Sequence, residues 1–170
     1  MPELTIQHRW WHGLVQRLAA SSFGIWLLPK TLHRIDTPLL RLTGNRVSLT
    51  SWLAGLPVIL LTTIGAKSGL PRQVPLVALV DQENLILIAS SYGSQRNPAW
   101  YYNLIAHPIA TIGYKGQQAE YRARQADSQE RTQYWEMATA LYPGFGKYRH
   151  RASHRKIPIL VLEPALTPTR

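Results

Sequence analysis

VILLTTIGAKSGLPRQVPLV (residues 58–77) is an apolar run that breaks into a Gly/Ser/Lys turn and returns as an alternating segment. Val58–Thr63 has the length and composition of a strand. Ala66–Gly69 is a turn in which glycine supplies positive φ. From Arg72 to Val80, Val74, Leu76 and Ala78 alternate with Gln73, Pro75 and Val77. That alternation predicts a second strand, with Pro75 marking a sheet edge or a bulge. The turn surrounds outward-pointing backbone N–H groups with Lys67, Ser68 and Arg72, a set equipped to hold an anion. It is not a P-loop, because the leading glycine spacing is missing. An ordinary hairpin turn with a solvated lysine has the same local signature.

ASSYGSQRNPAW (residues 89–100) repeats the form. A strand over Leu85–Ala89 leads into a turn carrying Ser90, Ser91 and Gly93, a second candidate cradle. Asn97 is placed to cap a short helix that starts at Pro98 and ends near Ala106. Ile109–Tyr114, a Lys115-Gly116 turn and Gln118–Ala126 form a hairpin. Asp127 and Glu130 have capping-box spacing and open a helix to about Leu141. Tyr142–Tyr148, with a proline and two glycines, reads as a mobile aromatic loop, and Ile157–Leu162 is the last strand. Many short strands with few helices predict a mainly β, α+β fold built on a small antiparallel barrel, not a doubly wound sheet.

Residues 1–50 differ and are assigned to an N-terminal helical extension, with residues 51–170 as the barrel domain. Trp10, Trp11, Leu14, Val15 and Leu18 share one helical face, with His8, Arg9, His12, Gln16 and Arg17 around the other side. A second helical stretch carries Phe23, Trp26 and Leu27, and a third spans about Leu32 to Leu42. The apolar face suits packing on the barrel, a second subunit in a homodimer, or peripheral contact with a membrane surface. No apolar run is long enough to span a membrane. No signal-peptide pattern is present, so a cytoplasmic location, at most peripheral at the inner face of the membrane, is expected.

At 170 residues, 45% of them hydrophobic, the chain can bury a real core. It has no cysteine, which removes disulfides, thiolate metal sites and a cysteine nucleophile. The formal charge of +10 implies an anionic partner: nucleic acid, an acidic membrane or an acidic ligand. His150 and His154 lie in an Arg-rich segment, Lys147–Lys156, that reads as solvated surface, and no metal site is expected. Asp36, Asp81 and Asp127 read as loop or cap residues. Tyr101, Tyr102 and Asn103 read as ordinary surface or interface residues.

AKSGLPR (66–72), NPAWYYNL (97–104), LYPGF (141–145) and KIPILVLEP (156–164) together resemble the deazaflavin-dependent nitroreductase family. The resemblance implies a split β-barrel of the FMN-binding type and reduced coenzyme F-420 as hydride donor. It places coenzyme contacts on Lys67, Ser68, Gly69, Arg72 and Pro75, and on Ser90 and Ser91. The coenzyme's phosphate and glutamate tail would account for part of the positive charge, without nucleic acid as a partner. Tyr142 and Tyr148 match tyrosine positions whose hydroxyls hydrogen-bond the substrate or relay a proton. Phe145 and Val77 stand where the nitroimidazole-reducing branch carries aromatic or phenolic side chains. These two substrate-side departures make the pocket less polar and point away from nitroimidazole activation. The function so implied is hydride transfer to an electron-poor small molecule such as a quinone, enone or nitro compound. The same barrel with FMN, or a non-enzymatic protein binding lipid or an anionic surface, are the alternatives.

Overall fold

The computed structural model describes residues 12, 13, 15 and 35–165. Residues 35–42 are helical, followed by α1 (Leu49–Ala54), β1 (Val58–Ile64), β2 (Pro71–Val77), β3 (Leu79–Asp81) and β4 (Asn84–Ile88). A single helical turn, Ser91–Gly93, precedes α2 (Ala99–Ala106), β5 (Ile109–Tyr114) and β6 (Gln117–Gln125). Then come α3 (Ser128–Leu141), α4 (Gly144–Arg151) and β7 (Ile159–Pro164).

The strands form one seven-stranded sheet in the order β2-β1-β5-β6-β7-β4-β3, antiparallel at every step. Its two edges, β2 and β3, are consecutive in the chain with Ala78 alone between them. The sheet must therefore curl until its edges nearly meet, which is a split barrel. The single strand expected over Arg72–Val80 is thus two. Buried Ala78 leaves the ladder and donates its N–H to the Pro57 carbonyl at 3.0 Å. Pro75 sits on edge strand β2 opposite Leu60, where an absent N–H costs least.

Side-chain alternation divides the core. Leu85, Leu87, Leu160 and Leu162 join Ile59, Leu61 and Ile112 on one face, closed by Trp100 and Leu104 of α2. Ile86, Ile88, Ile159 and Val161 point the other way, beneath Tyr134, Trp135 and Ala138 of α3 and Phe145 and Tyr148 of α4. Covering both faces explains why β4 and β7 are unbroken apolar runs in sequence. Each fully buried Leu or Ile contributes roughly 1.5–3 kcal/mol.

Polar caps fix the helices. Asp36 lies in the 35–42 helix, yet its buried carboxylate accepts from the Leu49 N–H at 2.7 Å and from the Thr50 hydroxyl, capping α1 from outside. Asp127 and Glu130 form the expected capping box on α3. Asp81 accepts from the Tyr134 hydroxyl at 2.9 Å, tying β3 to α3. Val15 packs on the core beneath α3 and α4. His12, expected on the polar side, is buried against α1, where its Nε2 lies 3.2 Å from the Trp52 carbonyl. Trp10, Trp11, Leu14, Leu18 and the second N-terminal helix lie outside the described residues. Among the described residues no helix is long and apolar enough to cross a membrane.

Arg124 of β6 grips both Glu130 oxygens, at 2.6 and 2.7 Å, and Glu163 of β7 at 2.6 Å. Arg124, and then the Asp127 amide, lower the Glu130 pKa to about 2. A carboxylate lowered on folding adds stability above its unfolded pKa and loses it as pH falls through the folded value. Solvent screens this pair, so Glu130→Gln is expected to cost about 0.5–1 kcal/mol at neutral pH. That difference should vanish as the pH falls toward about 2 in urea unfolding series. A gap that is constant with pH would contradict the assignment.

Candidate functional site

Because every pairing is antiparallel, β1, β4 and β6 run in one direction and β2, β5 and β7 in the other. The ends of β1, β4 and β6 and the starts of β2, β5 and β7 therefore share one rim. Both turns singled out in the sequence lie on it. So do the exit of α2, the start of α3 and the segment joining α4 to β7. Residues 65–72, 89–108 and 142–158 contain no Asp or Glu, while they carry Lys67, Arg72, Arg96, Lys147, Arg149, Arg151, Arg155 and Lys156.

The first turn is built inward and open outward. The Gly65 N–H donates to the Leu70 carbonyl at 2.9 Å and the Gly69 N–H to the Gly65 carbonyl at 2.8 Å. Gly69 has φ +65, the left-handed conformation that favours glycine. Asn103 of α2 pins the turn: its Oδ1 accepts from the Ala66 N–H at 3.0 Å and its Nδ2 donates to Thr63 Oγ1 at 3.0 Å. Lys67, Ser68 and Arg72 are exposed, and Arg72 Nη2 is 3.4 Å from Ser68 Oγ. Neither Lys67 nor Arg72 has an ion-pair partner among the described residues, so both face solvent without a carboxylate. The Lys67 and Ser68 amides also lack a carbonyl partner there. Two amides, a hydroxyl, an ammonium and a guanidinium form a donor set that fits a phosphate. Pro75 lies further down β2, half-buried.

The second turn has used part of its N–H set. Its Ser90, Gly93 and Ser94 amides are already bonded to the carbonyls of Ile88, Ser90 and Ser91, while the Ser91 and Tyr92 amides have no carbonyl partner among the described residues. The turn also offers shape. Ser91, Tyr92 and Gly93 have φ of 47, 56 and 79°, three successive left-handed residues. Ser91 and Tyr92 each carry roughly 1–2 kcal/mol of strain for a side chain there. Arg155 holds them. Its Nη2 donates to the Ser90 carbonyl at 2.9 Å and its Nε to the Ser94 carbonyl at 3.0 Å, while Nη1 takes Asn97 Oδ1. Asn97 therefore does not cap α2; Pro98 occupies the cap position and Asn97 serves Arg155. Within the supposedly solvated basic run, Arg155 is a clamp, while His150 and His154 are exposed.

Residues 142–148 are not a mobile loop. α4 starts at Gly144 and turns Tyr142, Phe145 and Tyr148 into the core. A Cβ on Gly144 would lie 2.1 Å from the Tyr142 ring, so glycine makes room for it. Tyr142, Phe145 and Tyr148 pack mutually at 5.9–6.2 Å, and half-buried Val77 packs against the larger core to which they belong. The Tyr142 and Tyr148 rings are neighbours, and burial pushes both pKa values up. Gly93 abuts α4: a Cβ there would lie 2.7 Å from the Arg151 Cβ. The fold thus brings Tyr142, Tyr148 and Phe145 together, and sets the turn of Ser90 and Ser91 beside them through Tyr92 and Gly93, while Val77 borders the same core. Lys67, Ser68, Gly69 and Arg72 form a separate group on the same rim.

Asn103, Arg155 and Tyr92 escape the sequence reading. Asn103 had a signal: with Trp100 and Leu104 it completes an inward i, i+3, i+4 set. Replacing Asn103 by Leu should cost about 1–3 kcal/mol, because the Ala66 amide and buried Thr63 lose their partner. Amide exchange at Ala66 should accelerate while that of β4 stays slow. Unchanged exchange at Ala66 would show that the turn holds itself.

A family model described as F420H(2)-dependent quinone reductase matches residues 32–164, including part of the stretch assigned to the N-terminal extension. The Mycobacterium tuberculosis protein Rv3178, named among such reductases, is 33% identical over 108 residues, 64% of this chain and 90% of its own. The F420H(2)-dependent quinone reductase Rv1261c of Mycobacterium tuberculosis is 31% identical over 109 residues, 62% of this chain and 72% of its own. A solved F420-H2-dependent reductase superposes with a TM-score of 0.58 at 32% identity, over 63% of this chain and 94% of its own. A structure described as a domain-swapped dimer superposes at 0.60 and 28% identity, over 76% and 97%. The nitroreductase label suggested by the motifs is broader than these matches. With its split barrel, its anion-ready turn and this match across most of its length, the chain belongs to the F420H(2)-dependent quinone reductase family.

Proposed function

We propose that this chain is an oxidoreductase that takes reduced coenzyme F-420 at the first turn and a quinone beside the buried tyrosines. The observation that carries this is a rim whose segments 65–72, 89–108 and 142–158 hold cations and no carboxylate, with a phosphate-ready turn at one place and an aromatic cluster at another. When bound, the reduced deazaflavin supplies a hydride to the acceptor. Lys67, Ser68, Gly69 and Arg72 would hold the acidic tail, while Pro75, Ser90 and Ser91 would border the coenzyme. Asn103 keeps the first turn in shape, and Arg155 keeps the second.

Val77 and Phe145 would present an apolar wall to a flat quinone. Tyr142 and Tyr148 would orient the acceptor by hydrogen bonding. With pKa values raised by burial, their hydroxyls stay protonated at neutral pH and act as donors, not as bases. A quinone needs only such a donor, since the hydride and one proton taken from solvent complete a neutral hydroquinone.

Fluorescence titration of purified protein with F-420 and with FMN tests the proposal. F-420 should bind more tightly, and more weakly as salt rises. Changing Lys67 and Arg72 together to Ala should weaken F-420 by about 2–4 kcal/mol, the strength of two charge-assisted bonds, without unfolding an exposed turn. Equal or tighter FMN binding, or unchanged F-420 affinity in the double variant, would overturn it.

A further inference from the structure

Tyr92 stands where the backbone resists a side chain. Its φ is +56, between Ser91 at +47 and Gly93 at +79, a run for which glycine is the default. The turn is nevertheless fixed, by Arg155 on the carbonyls of Ser90 and Ser94 and by Gly93 seated against Tyr148 and Arg151. A ring placed at such a position needs a reason other than local stability.

Its surroundings supply one. The Tyr92 ring meets Tyr148 edge-to-face, with centroids 5.7 Å apart at 83°. Tyr92 is 47% exposed, whereas Tyr142, Phe145 and Tyr148 are 6%, 7% and 5% exposed. Among the described members of this ring cluster, Tyr92 is the one that solvent reaches. Burial, then Tyr142, then the Asp36 carboxylate raise the pKa of its hydroxyl and keep it protonated. Tyr148 is in ring contact with both Tyr92 and Tyr142, so the three phenols are neighbours.

We infer that Tyr92 is the acceptor-positioning residue of this chain: its ring forms the outer wall of the quinone site, and its hydroxyl joins Tyr142 and Tyr148 in receiving a quinone carbonyl. This rests on the oxidoreductase proposal above and deepens it. A quinone is flat and apolar with two carbonyl acceptors. An exposed aromatic ring backed by hydroxyl donors matches both features. Tyr92 would move no proton; it would hold the acceptor and set which acceptors fit.

Tyr92→Phe keeps the ring, and Tyr92→Gly removes it while giving the turn the residue its φ favours, so both variants should fold with unchanged circular dichroism. Quinone KM should rise about 3–10-fold in Tyr92→Phe and about 10–100-fold in Tyr92→Gly, with kcat within about twofold, as expected for lost binding. Calorimetric Kd for the quinone menadione, measured on protein without coenzyme, should rise by the same factors. F-420 affinity should stay within about twofold of wild type. Menadione Kd and KM left unchanged in Tyr92→Gly would overturn the inference while leaving the coenzyme proposal intact. Loss of F-420 and menadione binding together would also overturn it, showing a structural role at the turn. Wild-type protein that binds menadione but not F-420 would overturn the coenzyme proposal and, with it, the role in catalysis assigned to Tyr92.

Discussion

The Arg155 guanidinium organises the rim. It sits between α4 and β7 and donates to the carbonyls of Ser90 and Ser94 and to Asn97. One side chain thus joins the end of β4, the left-handed turn, the approach to α2 and the start of β7. Charge-assisted bonds of this kind contribute about 1.5–3 kcal/mol each, enough to hold the strain of two non-glycine left-handed residues. Burial pushes the Arg155 pKa down, but an arginine has so far to fall that it stays charged. Without it, the turn that carries Tyr92 would lose its fixed shape, and α2 would lose one of its two attachments to the rim.

The other attachment is Asn103, which ties α2 to the first turn. α2 is eight residues long, roughly 12 Å, so one short rod holds both turns, through Asn97 just before its start and Asn103 within it. This gives the positive charge of the chain a place. Residues 65–72 hold no Asp or Glu, and four acidic side chains are engaged elsewhere: Asp36 in capping α1, Asp127 and Glu130 in capping α3, and Glu163 in holding Arg124. The first turn is left with donors and no competitor, which is what an acidic coenzyme requires.

Much of the barrel was legible because its signals are local. The apolar runs, the Lys115-Gly116 turn with φ of 47 and 83°, and the Asp127–Glu130 box each declare themselves within a few residues. The break at Ala78 was not, because it comes from the meeting of two sheet edges that lie far apart in the sheet. Nor was the helix over Gly144–Arg151: proline and glycine suggest a loop, but burial of Tyr142, Phe145 and Tyr148 overrides that preference. Arg155 looked like one more solvated cation, since nothing in its neighbours reveals three carbonyl-side partners about sixty residues away. The anion-binding turn was legible in composition. What sequence could not show is that Asn103 fixes it and that Ser90, Gly93 and Ser94 of the second turn have spent their amides internally.

If this rim passes electrons from reduced F-420 to a quinone, mixing protein, reduced F-420 and menadione without oxygen should restore the oxidised coenzyme's absorbance. Recovery should scale with protein concentration, saturate in menadione and be slowed by added salt. Recovery no faster than without protein, or turnover supported by reduced FMN in preference to reduced F-420, would contradict the proposal.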